Sequence, residues 1–96
     1  MSIGFPKFTY LRSKTLLRKV AALPCQICHA GAPSQASHSN QAIHGKGRGI
    51  KASDEFTAAL CPSCHYEIDQ GKKLSREEKL AWWEQAYENT QKALAT

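Results

Sequence analysis

The sequence predicts a small α+β protein that is stapled by zinc and has a helix at each end. Three observations predict this class. All four cysteines of the 96 residues fall into two C-x-x-C motifs, at 25–28 and 61–64. Helical periodicity is found towards both ends, and the segment between the motifs is rich in Gly, Ser, Ala and His. A chain this short forms one domain, residues 1–96, whose modest core benefits from a structural metal.

The first helix is predicted over residues 11–23. Basic side chains lie mostly on one face of this helix. Apolar side chains recur at helical spacing on the other face: Leu16, Leu17, Val20 and Leu23. Pro24 ends this helix and leads into the first C-x-x-C motif. We therefore define residues 1–23 as a basic N-terminal helix region.

Between the two motifs, residues 29–53 are predicted to form short strands or extended loops around a flexible basic turn. The turn contains three glycines in five residues, Gly45-Lys46-Gly47-Arg48-Gly49. Such a glycine density is incompatible with a stable helix interior. The next helix is predicted over residues 62–70, because Pro62 suits a first helical turn and Gly71 suits a C-cap position.

The last helix is predicted over residues 75–95 and begins with the capping-box sequence Ser75-Arg76-Glu77-Glu78. Its apolar stripe consists of Leu80, Trp83, Tyr87 and Leu94. This stripe is widened by Trp82 and Ala86. We expect these side chains to be core residues, buried by packing against residues 11–23, and not a platform for stacking bases.

Charge is distributed unevenly along the chain, whose net charge is +5. Residues 1–53 contain eight Lys or Arg and no acid, whereas residues 54–96 contain five Lys or Arg and all eight acids. A purely basic half favours a polyanionic partner such as nucleic acid over a membrane, although a basic surface also serves solubility. Since residues 1–7 lack a signal-peptide core and no apolar run could span a membrane, we expect a cytoplasmic protein.

The paired C-x-x-C motifs indicate a structural zinc site with Cys25, Cys28, Cys61 and Cys64 as ligands. In a reducing compartment such motifs are more often metal sites than disulfides. Both motifs are also C-x-x-C-H, the attachment sequence of c-type haem. The absence of an export sequence and the presence of a single methionine argue against haem.

A second constellation follows the second motif, where His65 and Asp69 lie four residues apart on the predicted helix. This spacing places both side chains on one face, and their donor atoms suit Mg²⁺, Mn²⁺ or Zn²⁺. Decoration of a helix N-terminus is the plainer alternative. His38 lies ten residues after Cys28, where a strand could return it towards the second motif, whereas His29 and His44 are expected at the surface.

The order of these residues resembles the HNH endonucleases, especially small prophage-encoded members and phage recombination-associated nucleases. The resemblance rests on the order of three features: the first C-x-x-C motif, a histidine further along the chain, and the run Leu60-Cys61-Pro62-Ser63-Cys64-His65 with Asp69. It covers residues 24–70. It implies a ββα-metal core flanked by the two terminal helices. It also implies metal-dependent hydrolysis of phosphodiester bonds in DNA during phage recombination or DNA processing.

The resemblance assigns roles residue by residue. His38 would be the general base, while His65 and Asp69 would hold a catalytic Mg²⁺ or Mn²⁺ beside the structural zinc. Two positions depart from the family. Ser37 stands where a metal-binding Asp or His commonly precedes the base, and the family's middle Asn has no clear counterpart, Asp54 being the nearest polar residue. Ser37 and Asp54 are therefore supporting candidates only.

For the basic turn we predict that Lys46, Arg48 and Lys51 bind flanking phosphates, with glycines that let the backbone come close. The main alternative is a zinc-bound nucleic-acid-binding module without catalysis, which gives His38, His65 and Asp69 no joint task. These residues are compatible with RNA as well as DNA as the bound nucleic acid. They also do not distinguish duplex from single-stranded or branched DNA.

Overall fold

The computed structural model describes residues 9–96. It contains, in chain order, α1 (Lys14–Ala21), β1 (Gln35–His38), a 3₁₀ helix (Ala42–His44), β2 (Thr57–Leu60), α2 (Pro62–Asp69) and α3 (Arg76–Leu94). Three α-helices and a two-stranded sheet confirm the α+β class for this part of the chain. Of the predicted basic N-terminal region, residues 1–8, including Lys7, lie outside the described residues.

Helix α1 is shorter than the predicted 11–23 at both ends, since it begins at Lys14 and ends at Ala21. Ser13 is the N-cap, and its side chain accepts a hydrogen bond from the backbone N–H of Leu16. The preceding backbone pairs with the loop before β2, since Leu11 accepts from the N–H of Asp54 at 2.9 Å and donates to the Ser53 hydroxyl at 2.8 Å. Long-range hydrogen bonds therefore override the local helical pattern at this end.

The two strands pair antiparallel, with Gln35 opposite Leu60 and His38 opposite Thr57. All four residues of β2 are buried, so both faces of this strand are covered. Strand β1 is short and leaves its outward positions partly exposed. The sheet therefore brings His38 onto the same side of the molecule as the helix that follows β2.

The edge of β2 away from β1 is closed by side-chain and loop contacts. The N–H of Ala59 donates to the Thr90 hydroxyl at 3.0 Å, and this hydroxyl donates to the carbonyl of Ala86 at 2.7 Å. The carbonyl of Ala59 accepts from the backbone N–H of Gln26 at 2.9 Å. Both backbone groups of Ala59 are thus satisfied without a third strand.

Helix α2 follows β2 directly and starts as predicted, with Pro62 in its first turn. It ends at Asp69, and Gln70 is the C-cap instead of the predicted Gly71. Glycine is nevertheless required at position 71, because a Cβ there would lie 2.7 Å from the backbone carbonyl oxygen of Glu67 as well as against its carboxylate. Close packing of the chain, and not a left-handed backbone, explains this residue.

Helix α3 begins with the predicted capping box, in which the Ser75 and Glu78 side chains each accept from the other's backbone N–H. Its buried stripe differs from the prediction. Trp83 and Ala86 are in the core with Thr90, whereas Leu80 and Trp82 are 45% and 42% exposed. The expected packing against residues 11–23 is a minor contact, because α3 lies mainly on β2.

The core lies between the sheet, α2 and α3, and it includes two of the zinc-motif cysteines. Its buried members are Cys25, Ala58, Leu60, Cys61, Ile68, Trp83 and Ala86. The Trp83 indole N–H donates to the carbonyl of Ser37 at 3.1 Å, which joins α3 to β1. Helix α1 packs on both strands. The two C-x-x-C motifs are therefore built into the core.

Candidate metal sites and surface groove

The four cysteines converge in space although 32 residues separate the two motifs. Their sulfur atoms all lie within 4.8 Å of one another, and the Sγ atoms of Cys28 and Cys61 are 3.6 Å apart. Tetrahedral coordination at a Zn–S distance of 2.3 Å requires sulfurs about 3.8 Å apart. The predicted cluster of Cys25, Cys28, Cys61 and Cys64 is confirmed as one that could hold zinc.

Backbone N–H groups point at the sulfur that opens each motif. The N–H groups of Ile27 and Cys28 lie 3.4 and 3.5 Å from Cys25 Sγ, and the N–H of Cys64 lies 3.4 Å from Cys61 Sγ. Burial opposes ionisation of Cys25, but N–H groups including those of residues 61, 28 and 27 prevail and lower its pKa to about 6. Burial, together with the neighbouring sulfurs, raises the pKa of Cys64. Four adjacent thiolates thus need a cation, which fits zinc.

His65 and Asp69 project from the same face of α2, as their spacing predicts. His65 Nε2 lies 3.0 Å from Asp69 Oδ2. Two neighbouring ligands of an octahedral ion, each about 2.1 Å from it, would be about 3.0 Å apart. The hydrogen bond from His65, opposed by burial, lowers the pKa of Asp69, with a further contribution from Asn40. The pair could therefore chelate a divalent ion without moving apart.

Gln35 of β1 fixes the orientation of the His65 ring. Its side-chain carbonyl Oε1 lies 2.8 Å from His65 Nδ1. Because Oε1 can only accept, Nδ1–H donates to it, while the Nε2 proton is directed at Asp69. An ion bound between Nε2 and Asp69 would replace that proton and leave the ring protonated at Nδ1 alone. This is the tautomer that a metal ligand requires.

His38 is held from behind by a buried carboxylate. Its Nε2 lies 2.8 Å from Asp54 Oδ1, and Asp54 is only 3% exposed. Asp54 also accepts from the Ser13 N–H at 2.7 Å and from Arg12 at 3.3 Å. Burial acts to raise the pKa of Asp54, but the bond from His38, then the N–H of Ser13 and the charge of Arg12, lower it. The supporting candidate Asp54 thus lies directly against the predicted base.

The predicted base, the predicted ligand pair and two predicted basic residues line one surface groove of about 260 Å³. We call it the groove and define it by its lining residues: Ala36, His38, Ser39, Asn40, Lys46, Lys51, His65 and Asp69. Asn40 also donates to Asp69 Oδ1, at 3.4 Å. The side chains come from β1, from the loop between the strands and from α2. The fold therefore brings together, in one groove, functional side chains that are spread over 32 sequence positions from His38 to Asp69.

Apart from the cysteines, three predicted site residues do not line the groove: Asp54, which lies behind His38, and Ser37 and Arg48. Ser37 is fully buried, and its hydroxyl has no hydrogen-bond partner among residues 9–96. It alternates with His38 on the pleated strand and so faces the core. Arg48 is exposed in the turn between Gly47 and Ile50, where Gly49 has a φ of +70°.

Sequence reasoning missed or misplaced three polar residues near the site. Gln35 carries no local pattern that predicts its contact with His65, which arises from the packing of β1 beside α2. Asn40 comes shortly after the strand that ends at His38, and its polar side chain at this place was the sign in the sequence that it could reach the site. His44, expected at the surface, instead stacks on Phe56 with ring centroids 4.2 Å apart and interacts with the Ser39 hydroxyl at 2.6 Å.

Comparisons of the chain with protein-family models, curated protein sequences and solved structures find no match. The resemblance to HNH endonucleases therefore stays a prediction from the motifs. Within residues 9–96, no helix is both long and apolar enough to cross a membrane.

Proposed function

We propose that this protein is a divalent-metal-dependent endonuclease of the HNH type that hydrolyses phosphodiester bonds in DNA. The observation that carries the proposal is the groove, where His38 lies with the pair His65 and Asp69 and with two lysines. A base, a ligand pair and flanking cations are the parts that phosphodiester hydrolysis needs.

His65 Nε2 and Asp69 Oδ2 would hold Mg²⁺ or Mn²⁺. Such an ion supplies Lewis-acid stabilisation of the charge that develops on the phosphate and on the leaving oxygen. Gln35 keeps the Nε2 lone pair directed at the ion, and Asn40 restrains the carboxylate. The protein thus fixes the ligand atoms before the ion binds.

His38 would remove a proton from the attacking water. When Nε2 donates to Asp54, Nδ1 of the neutral ring is unprotonated and can accept that proton. The buried carboxylate then stabilises the imidazolium that forms.

Basic side chains would position the DNA strand. Lys46 and Lys51 line the groove and would bind phosphates next to the scissile one. Arg48, in the exposed turn, would contact the backbone farther out. None of these contacts reads a base, so we expect little sequence specificity from them.

The zinc cluster would set the direction of α2. Cys61 is the N-cap of that helix and Cys64 lies in its first turn, directly before His65. Zinc would thus fix the metal-binding side of the groove to the core. By their resemblance to prophage-encoded nucleases, these features favour phage recombination or DNA processing in the cytoplasm as the role.

The test is nicking of supercoiled plasmid by the zinc-loaded protein with added Mg²⁺ or Mn²⁺. We expect His38→Ala and Asp69→Asn each to lose at least about 100-fold in rate, the range typical of a lost acid–base group. His29→Asn is the control, because His29 is an exposed histidine outside the groove whose φ of +64° asparagine tolerates. Cleavage that survives both groove substitutions would refute the assigned roles.

The alternative is a zinc-bound nucleic-acid-binding module without catalysis. One observation favours it: among residues 9–96 the cysteine cluster is the only group of three or more His, Cys, Asp or Glu residues close enough to share an ion. The catalytic ion would have two such ligands, and water or phosphate would complete its shell. DNA binding that depends on Lys46 and Lys51, with no cleavage under any metal condition, would support this alternative.

A further inference from the structure

A second, larger cavity adjoins the groove. Its volume is about 510 Å³, and it lies between α2, α3 and the loop that follows β1. Asn40 and Asp69 line both the groove and this cavity. A bound strand that crosses the groove could therefore place a neighbouring group in the cavity.

The wall of the cavity formed by α2 and α3 contains apolar side chains. Ile68 and Trp83 are buried core residues whose surfaces border the cavity, and Leu80 is 45% exposed beside them. Leu80 is one of the side chains that the helical pattern placed in the core. Its exposure leaves an apolar surface on which a flat ring can lie.

Polar groups that can hydrogen-bond a base edge stand opposite this wall. Asn40 and Gln41 line the cavity, and the Gln41 amide N–H₂ donates to Glu84 at 2.7 Å, which fixes its orientation. Side-chain amides have a donor and an acceptor side by side, the pattern that base edges match.

The cavity also has positive charge suited to a phosphate. Arg76 and Lys79 line it from the first turns of α3, and Lys79 Nζ is anchored by the carbonyl of Gly71 at 2.6 Å. Lys46 and Lys51 line the groove on its other side. Cations thus flank the His65–Asp69 pair in two directions, as a polyanionic strand requires.

We propose that this cavity binds one unpaired nucleotide next to the scissile phosphate, its base against Leu80 and its phosphate at Arg76 and Lys79. The position relative to cleavage rests on the proposed nuclease function; the nucleotide site itself does not. A base within a duplex is stacked and its pairing edge is occupied, so it cannot enter without being flipped out. The protein therefore prefers single-stranded nucleic acid.

Fluorescence anisotropy tests the site without cleavage, with zinc-loaded protein and no added Mg²⁺ or Mn²⁺. The probes are a labelled oligothymidylate of about 12 nucleotides and a blunt duplex of equal length. Leu80→Glu places a negative charge at the apolar wall. Trp82→Glu is the matched control, since Trp82 is 42% exposed on the same helix and does not line the cavity.

We expect the native chain to bind the single strand at least about fivefold more tightly than the duplex. Leu80→Glu should weaken single-strand binding about tenfold, as expected for one lost base contact, and leave duplex binding within about twofold. Trp82→Glu should change neither affinity beyond about twofold. Equal or tighter duplex binding by the native chain, or equal losses in the two variants, would overturn the proposal.

The result is separable from the nuclease assignment. A Leu80-dependent single-strand preference in a protein that never nicks DNA would retain the nucleotide site and reject the nuclease. Metal-dependent nicking without that preference would retain the nuclease and reject the site.

Discussion

The two sides of the groove are supported in different ways. On the β1 side, His38 is backed by Asp54, whose side chain is 5% exposed and also accepts from Ser13 and Arg12. On the α2 side, the side chains of His65 and Asp69 are 27% and 37% exposed, and their helix starts at the cysteine cluster. A buried hydrogen-bond network holds the predicted base, whereas the bound zinc would hold the predicted ligands.

This difference separates stability from chemistry. Removing a buried charge that has several partners leaves those partners unsatisfied, which costs free energy. Removing an exposed carboxylate costs little. We therefore expect substitutions on the two sides to affect activity alike and stability unequally, and four predictions follow in order of decreasing effect on the free energy of unfolding.

Zinc loss should have the largest effect. Cys61→Ser retains an oxygen that can cap α2 but weakens the metal site. Structural zinc contributes on the order of 10 kcal/mol in small domains, comparable to the whole stability of a protein this size, so the variant should lose cooperative folding. Thermal unfolding monitored by circular dichroism measures this loss of cooperativity, and zinc content per chain is determined on the same samples. Ser63→Ala, exposed in the same turn, is the control, and a zinc-free variant with native thermal stability would contradict the prediction.

Asp54→Asn should have the next largest effect. The amide keeps the shape but removes the charge that faces His38 and Arg12, so we expect a loss of about 3 kcal/mol in the free energy of unfolding. Urea denaturation measures this loss. Glu88→Gln, an exposed neutralisation on α3, should stay within about 0.5 kcal/mol. Equal stability of the two variants would show that the His38 side is no better supported than the surface.

The contribution of Asp54 should also depend on pH, with a definite sign. Its pKa in the folded protein lies below the ordinary value of 3.8. Its stabilising effect is therefore complete above pH 3.8 and is lost as the pH falls through the lower, folded-state value. The stability gap between the native chain and Asp54→Asn should shrink by about 1–2 kcal/mol between pH 6 and pH 3. A gap that widens towards low pH would contradict the lowered pKa, and zinc content per chain, measured at each pH, limits the comparison to samples that retain the metal.

Asp69→Asn should have the smallest effect on stability and a large one on function. Because the side chain is 37% exposed, we expect a change within about 1 kcal/mol in the free energy of unfolding. Plasmid nicking should nevertheless fall at least about 100-fold, since a metal ligand is weakened. Denaturation and nicking on the same preparation test this pair of outcomes. A strongly destabilised Asp69→Asn would remove the contrast between the two sides.

Features that depend on local chemistry were predictable from the sequence. The capping box at Ser75 and the proline at the start of α2 each use residues within a few positions of one another, and the two C-x-x-C motifs are each local, although their convergence on one site spans 32 residues. Features that depend on how the helices and strands pack against one another could not be predicted from the sequence. Leu80, Trp82, Trp83 and Ala86 all fit the predicted apolar stripe, but the position of β2 decides that only Trp83 and Ala86 of these four are buried.

The candidate site divides in the same way. The four-residue spacing of His65 and Asp69 predicts their contact, whereas Gln35 and Asn40 reach this pair only through the tertiary fold. The burial of Ser37 could have been predicted from the sequence. Side chains alternate along a strand, so a His38 that faces the groove requires a Ser37 that faces the core.

The closed edge of β2 has a consequence for association between molecules. Sheets with a free edge can recruit a strand from another chain, which leads to domain swapping or fibres. At Ala59 this edge has neither a free donor nor a free acceptor, because Thr90 and Gln26 occupy both. An incoming strand would have to displace both the Thr90 hydroxyl of α3 and the backbone N–H of Gln26, so these two contacts protect the β2 edge from edge-to-edge association.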